Sequence, residues 1–159
     1  MGLRGCNPPI AIRKAEDELD RVGMIAWAIE RIPNITRLEP GLCFPLEVRR
    51  DGKRVAVAIY HEWRGNVIEL SMAADTPRWA TRSAVASILS WPFTTLGVRR
   101  ITTITPEQNN RALRLNQGLG FTREGRMRDV FDDGAAAIIM GFTRADWLAS
   151  RWCRSEGMS

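Results

Sequence analysis

Residues 109–121, NNRALRLNQGLGF, constrain the fold of this chain more than any other stretch. An Asn side chain accepts a hydrogen bond from an otherwise unpaired amide of a first helical turn, so the Asn109-Asn110 pair after Pro106 predicts a helix start. Ala112, Leu115 and Leu119 recur at spacings of three and four and share one face, while Arg111, Arg114 and Gln117 point elsewhere. Gly118 and Gly120 end the helix. A β-branched run, Ile101-Thr102-Thr103-Ile104-Thr105, predicts a strand before it, and residues 121–130 predict another after it.

Upstream, the apolar period switches between two and 3.6. Pro8-Pro9 followed by Ile10-Ala11-Ile12-Arg13 reads as a short first strand after a loose terminus. From Ala15 the pattern is helical: Leu19, Val22, Ala26 and Ile29 form the stripe, with Glu16, Asp17, Glu18 and Asp20 near the positive end of the dipole, and Pro33-Asn34 as the stop. Residues 37–45 are irregular. Residues 46–50 and 54–63 predict strands joined at Asp51-Gly52. In the second, Val55, Val57, Ile59, His61 and Trp63 share one face, opposite Arg54, Ala56, Ala58, Tyr60 and Glu62. After the Arg64-Gly65-Asn66 turn, residues 67–74 complete a three-strand meander, with Glu69 and Ser71 on one face and Ile68, Leu70 and Met72 on the other. Asp75-Thr76-Pro77 breaks that strand. Residues 78–95 are helical, and Pro92 kinks or shortens the final turn. Residues 135–142 return from a hairpin at Asp132-Asp133-Gly134, Asp146-Trp147-Leu148 begins a short last helix, and the tail from Arg154 is expected to fray.

The resulting order, β-α-β-β-β-α-β-α-β-β, predicts an α/β fold with a mixed sheet of about seven strands flanked by about four helices. The 159 residues are expected to form one domain, with a core over 14–153 and short flexible termini, large enough to need neither disulfides nor metals. Cys6, Cys43 and Cys153 are odd in number and far apart, and His61 is the only histidine, so neither a disulfide framework nor a metal site is expected. A reducing cytoplasm is the expected location. No apolar run approaches the roughly 20 residues that span a bilayer, and the start lacks a signal-peptide core, so a soluble protein is expected. The formal charge of +5 rests almost wholly on arginine. Arginine suits bidentate phosphate contacts, which makes nucleic acid or a phosphate-bearing co-substrate compatible partners, but its even spread more readily describes a solvated surface.

Residues 109–128 resemble the pattern N-x-x-S-x-x-[VL]-x-x-x-L-G-F-x-x-E-G-x-x-R of the GNAT superfamily, the acyl-CoA-dependent N-acyltransferases, in its branch that acetylates ribosomal-protein N-termini. The spacing matches without a gap, from Asn109 through Leu119-Gly120-Phe121 and Glu124-Gly125 to Arg128; the Ser position holds Ala112. The element order is the GNAT arrangement, and residues 139–147, IMGFTRADW, resemble the last strand of that branch. The resemblance spans about residues 54–148.

What the resemblance implies is acetyl-CoA as co-substrate, an amine of a protein N-terminus, peptide or small molecule as acceptor, direct attack on the thioester, and no metal. A homodimer is among the partners considered. Relatives hold the pyrophosphate on backbone amides of an R-G-x-G-x-A-T-E segment, because glycines admit close approach and a helix N-terminus attracts anions. Ala80-Thr81-Arg82 falls on A-T-E, while Asp75, Thr76, Pro77 and Arg78 occupy R-G-x-G, so both glycines are gone and Pro77 has no amide to donate. Two readings follow. In the favoured one, Arg78 and Arg82 hold the phosphates by charge, Thr76 or Thr81 adds a hydroxyl, and Trp79 packs beside the co-substrate. In the other the pocket is filled by Trp79 and Arg78, leaving a catalytically silent binding module; a basic nucleic-acid-directed protein is a third option. Asn109 is expected to bond the pantetheine arm as well as to cap, and the backbone at Leu70 and Met72 to face the thioester. For the general base, Glu69 is the first choice and His61 the second, the latter also fitting a partly buried structural histidine. The positions where relatives carry a Ser or Tyr acid hold Ala112 and Leu115, which cannot donate a proton.

Overall fold

The computed structural model describes residues 10–35 and 38–153; the expectations for residues 1–9 and for the tail from Arg154 lie outside the described residues. Its strands are β1 (Ile10–Lys14), β2 (Phe44–Arg50), β3 (Lys53–His61), β4 (Val67–Ala74), β5 (Arg100–Pro106), β6 (Thr122–Met127) and β7 (Ala137–Thr143). Its helices are α1 (Glu18–Ile29), α2 (Arg82–Trp91), α3 (Asn110–Leu119) and α4 (Arg144–Ala149). The strands form a seven-stranded sheet ordered β1-β2-β3-β4-β5-β7-β6. Neighbours are antiparallel except β4 and β5, which the crossover through α2 makes parallel. The α/β order expected from the sequence is the order observed.

Local chemistry explains the boundaries. Each α-helix starts on a side-chain cap: Asp17 accepts from the Asp20 amide, Thr81 from Ala84, Asn109 from Ala112 and Thr143 from Asp146. The α3 helix stops at Gly120, whose φ of 112° only glycine adopts readily, and where an added Cβ would lie 3.1 Å from the Phe142 ring.

The sheet separates two apolar layers. On one face α2, α3 and α4 cover Leu46, Ala58, Tyr60, Ile68, Ile101, Met140 and Phe142; on the other α1 lays Met24, Ile25 and Ala28 on Val57, Ile59 and Ala73. Tyr60 and Phe142 are fully buried, each worth roughly 1.5–3 kcal/mol of side-chain burial. The Tyr60 hydroxyl donates to the Ile88 carbonyl at 2.7 Å, which ties α2 to the sheet.

Four expectations are corrected. The stripe Leu19, Val22, Ala26 and Ile29 is not the buried face of α1: Leu19 is 82% exposed, Val22 and Ala26 are exposed, and Met24, Ile25 and Ala28 pack instead, with only Ile29 of the expected stripe packed beside them. A competing stripe one residue out of phase also had helical spacing, and the sheet selected it. In α3 the residues on the core are Leu113 and Leu119, whereas Leu115 is exposed. In β3 the face holding Val57, Ile59 and His61 excludes Val55 and Trp63. A bulge after Val48 shifts the pairing near Val55, and Glu62, at φ 51°, breaks the alternation, so that Trp63 packs edge-on against Phe44. Finally, residues 78–95 divide into a 3-10 turn at Pro77–Trp79, the α2 helix and a π turn at Pro92–Leu96. Pro92 removes the amide that would have continued the α-helical ladder.

Candidate active site

β4 and β5 stay together only briefly. Their rungs join Val67 to Arg100, Ile68 to Ile101 and Glu69 to Thr102, and none follows. The Asp75 amide donates to the Val55 carbonyl and the Val67 carbonyl accepts from the Arg64 amide, so odd-numbered β4 residues face β3. Alternation therefore turns the Met72 N–H toward β5, past the last rung, where a sheet would normally supply an acceptor.

A cleft of ≈ 520 Å³ opens at this gap. β4 contributes Met72, Ala73 and Ala74, the following loop Thr76, Pro77, Trp79 and Ala80, and α3 with its cap Asn109, Arg111, Ala112, Arg114 and Leu115, with Arg31 at the edge. Its lining is apolar beside the gap and cationic on α3. Arg31 is committed to Asp75 at 2.7 Å and stacks over Trp27, while Arg111 and Arg114 are exposed with no ion-pair partner among the described residues. A hollow of ≈ 630 Å³ lies at the opposite end of the β4–β5 pair, around Asn66, Val67 and Arg100. There the strands are joined and Arg100 is bound to Glu124, so the hollow exposes no free strand edge.

The loop does not present a ring of amides. The Arg78 amide bonds the Thr76 hydroxyl oxygen at 3.2 Å, the Trp79 amide the Thr76 carbonyl at 3.4 Å, the Ala80 amide the Pro77 carbonyl at 3.3 Å and the Thr81 amide the Trp79 carbonyl at 2.9 Å. Pro77, at the first position of the 3-10 turn, folds the segment onto itself. Trp79, only 4% exposed, is anchored in the core and reaches the cleft as part of its floor.

Of the residues singled out from sequence, Met72, Trp79, Ala80 and Asn109 line the cleft, whereas Leu70, Arg78, Thr81 and Arg82 do not. Arg78 and Arg82 are exposed, and Thr81 spends its hydroxyl oxygen capping α2. Asn109 accepts from the Ala112 amide at 3.2 Å through Oδ1. Arg111 and Arg114 are the cations the sequence reading passed over. Their available signal was position: they flank Ala112 and Leu115, which the cleft also exposes.

Glu69 and His61 face each other across β3 and β4. Both lie on the α1 side of the sheet, the face opposite the α2 and α3 helices. His61 is 9% exposed, its Nε2 lies 2.8 Å from the Ser71 Oγ, and its Nδ1 lies 3.9 Å from Glu69 Oε2 with no hydrogen-bond partner among the described residues. Burial holds the His61 pKa below its ordinary value, against the pull of Glu62. Burial also lifts the Glu69 carboxyl, helped by the negative charge of Glu62 and opposed by Arg64. The two shifts act oppositely on basicity: burial keeps the imidazole neutral but makes it a weaker base, and it makes the Glu69 carboxylate a stronger one.

A sheet whose parallel pair parts beside a cleft at the N-terminus of α3 defines a class. The chain has the GNAT fold of N-acetyltransferases. Its structure is similar to that of a point mutant of the spermidine N-acetyltransferase SpeG from Vibrio cholerae, with TM-score 0.72 and 14% identity over 89% of this chain and 98% of that one. It is likewise similar to the dodecameric spermidine N-acetyltransferase from Vibrio cholerae, with TM-score 0.69 and 15% identity over 89% and 98%. The ribosomal-protein-S5-alanine acetyltransferase from Vibrio fischeri gives TM-score 0.67 and 18% identity over 87% of this chain and 95% of that one. No family model and no curated protein matches the chain.

Proposed function

We propose that the protein is an acetyl-CoA-dependent N-acetyltransferase that acts on a primary amine. The observation that carries this reading is the parting of β4 from β5 at Glu69 and Thr102 beside a cleft with free arginines. A thioester lying in that gap would meet the Met72 N–H, which can polarise its carbonyl. Arg111 and Arg114 would hold the phosphates, in place of loop amides that are engaged in the 3-10 turn. Asn109 keeps its side-chain amide group for the pantetheine arm while Oδ1 caps α3.

The amine approaches from the α1 face. Glu69 takes its proton, directly or through water, the nitrogen attacks the carbonyl carbon, and the C–S bond breaks. Ala112 and Leu115 offer the departing sulfur no proton, so CoA leaves as a thiolate, which its acidity near that of an ordinary thiol permits. Free thiols at Cys43 and Cys153 fit the reducing cytoplasm where acyl-CoA is made. For a second copy of the chain, the exposed Leu19, Val22 and Leu42 supply apolar surface. Nucleic acid gains no support: Arg13, Arg31, Arg49, Arg54, Arg100 and Arg126 are held by carboxylates. The acceptors to try are a polyamine and a peptide with an N-terminal alanine, after the structural neighbours.

Titration calorimetry with acetyl-CoA tests the reading. Saturable binding, with acetyl transfer to one of these amines, is the expected result. Absence of binding at millimolar acetyl-CoA would overturn it.

A further inference from the structure

Ser71, His61 and Glu69 stand in the order of a nucleophile, its base and the carboxylate that orients the base. The Ser71 Oγ is 2.8 Å from His61 Nε2, and on the far side of the ring Nδ1 is 3.9 Å from Glu69 Oε2. All three come from adjacent strands of one sheet, a rigid support for such a group. His61 Nδ1 has no hydrogen-bond partner among the described residues, which leaves it open to Glu69. An imidazole whose Nε2 accepts the Ser71 proton must carry its own proton on Nδ1, and a buried N–H without a partner costs about 1–3 kcal/mol. Glu69 is the carboxylate within reach, and a movement of its partly exposed side chain would close the remaining distance. Catalytic contacts are commonly this loose before a substrate is bound.

Ser71 does not line the cleft, but it adjoins the gap. It precedes Met72, whose side chain lines the cleft and whose amide faces the gap beyond the last β4–β5 rung. The amide of the residue after a nucleophilic serine is an oxyanion donor in unrelated serine hydrolases.

We propose that Ser71, activated by His61 and Glu69, is an acyl-accepting nucleophile, which gives the protein an esterase and thioesterase activity when no amine is present. Ser71 Oγ attacks the carbonyl carbon while its proton passes to His61 Nε2. The bond from carbon to the leaving oxygen or sulfur breaks, and the leaving group takes the proton from His61. Water then attacks the Ser71 ester, delivering a proton to His61. The ester C–O bond breaks, a carboxylic acid is released, and Ser71 recovers its proton. With acyl-CoA as donor the proposal rests on the acyltransferase reading; with a small activated ester it does not.

The test uses the full chain and p-nitrophenyl acetate. Expected are p-nitrophenolate release and an acetyl group on the peptide containing Ser71, found by mass spectrometry after acid quenching. Ser71→Ala should cut release at least tenfold with an unchanged melting temperature, and Ser71→Cys should restore acylation at that position. His61→Asn should also remove the Ser71 adduct; if that variant fails to fold, the two Ser71 variants still decide. Wild-type release from Ser71→Ala, or acetyl groups confined to lysines and the N-terminus, would overturn the proposal. A parallel arm supplies acetyl-CoA without an amine and measures free CoA. Ser71 acylation by the ester with no CoA release upholds the triad and counts against acetyl-CoA as donor. Amine acetylation from acetyl-CoA with Ser71 unmodified by either donor upholds the acyltransferase and overturns the triad.

Discussion

Two glutamates on the same face of the sheet have opposite environments. Glu47 on β2 is fully buried and is bound by Arg13, Arg49 and Arg54, with Asp20 also on Arg13. Glu69 on β4 is half-buried and faces a neutral histidine across a gap. Burial raises both carboxyls, but the three guanidinium groups reverse the effect at Glu47 and bring it below the ordinary range, whereas Glu69 remains above it. A saturated carboxylate holds β1, β2, β3 and α1 in register and has no valence left for chemistry. An under-partnered one is held at a cost and can take a proton. The difference separates a fully paired charge from one left open to a proton.

Removing each charge should break the comparison in opposite ways. Glu47→Ala leaves three guanidinium groups facing a buried hole, and unfolding in denaturant should show a loss of about 3–5 kcal/mol. Equal stability of that variant would deny the cluster its role. Glu69→Gln should keep or raise the melting temperature while lowering kcat for amine acetylation roughly 100-fold, about 2.7 kcal/mol. Full activity in Glu69→Gln would transfer the base role elsewhere.

A smaller effect is expected at the cleft. Arg111→Glu with Arg114→Glu should weaken acetyl-CoA roughly tenfold, about 1.4 kcal/mol, and Arg78→Glu much less, because Arg78 lies outside the lining. Calorimetry that ranked Arg78 first would restore the loop as the phosphate site.

The smallest effect is in pH dependence, and its sign differs between the two groups. Asp20, held at about 2 against an ordinary 3.8 by Arg13, and Glu47, also depressed, stabilise the fold above the unfolded carboxyl range. That contribution is lost only as pH falls through their folded values. Glu69, raised by burial, costs stability at neutral pH, and the cost fades as pH falls through its own folded value. The stability advantage of Glu69→Gln over wild type should therefore shrink as pH falls toward the ordinary carboxyl range, while the deficit of Glu47→Gln should persist until lower pH. Parallel pH profiles for the two variants would contradict the contrast.

Most of the fold could be read from periodicity and punctuation. Asn109, Gly120 and the β-branched run before them placed α3 and β5, and Val67–Ala74 was bounded correctly by Asn66 and Asp75. Phase within a helix was harder. Leu19 and Met24 both sit on stripes of proper spacing, and the choice between them depends on the sheet they meet. The site was partly legible: alternation put Glu69 and Ser71 together, and Asn109, Met72, Trp79 and Ala80 reach the cleft. Arg78 and Arg82 align with the loop of the resembling family, but Pro77 winds residues 77–79 into a turn and Arg82 opens α2, and both side chains are exposed.

The sequence by itself determined the order of elements, the helix ends and the absence of an acid at Ala112 and Leu115, because caps, glycines and side-chain chemistry act over a few residues. Only the tertiary structure decided where β4 leaves β5, that Arg111 and Arg114 border the gap, and that Ser71, His61 and Glu69 align. Those facts depend on register between strands distant in sequence, and register is settled when the two apolar layers pack against the sheet.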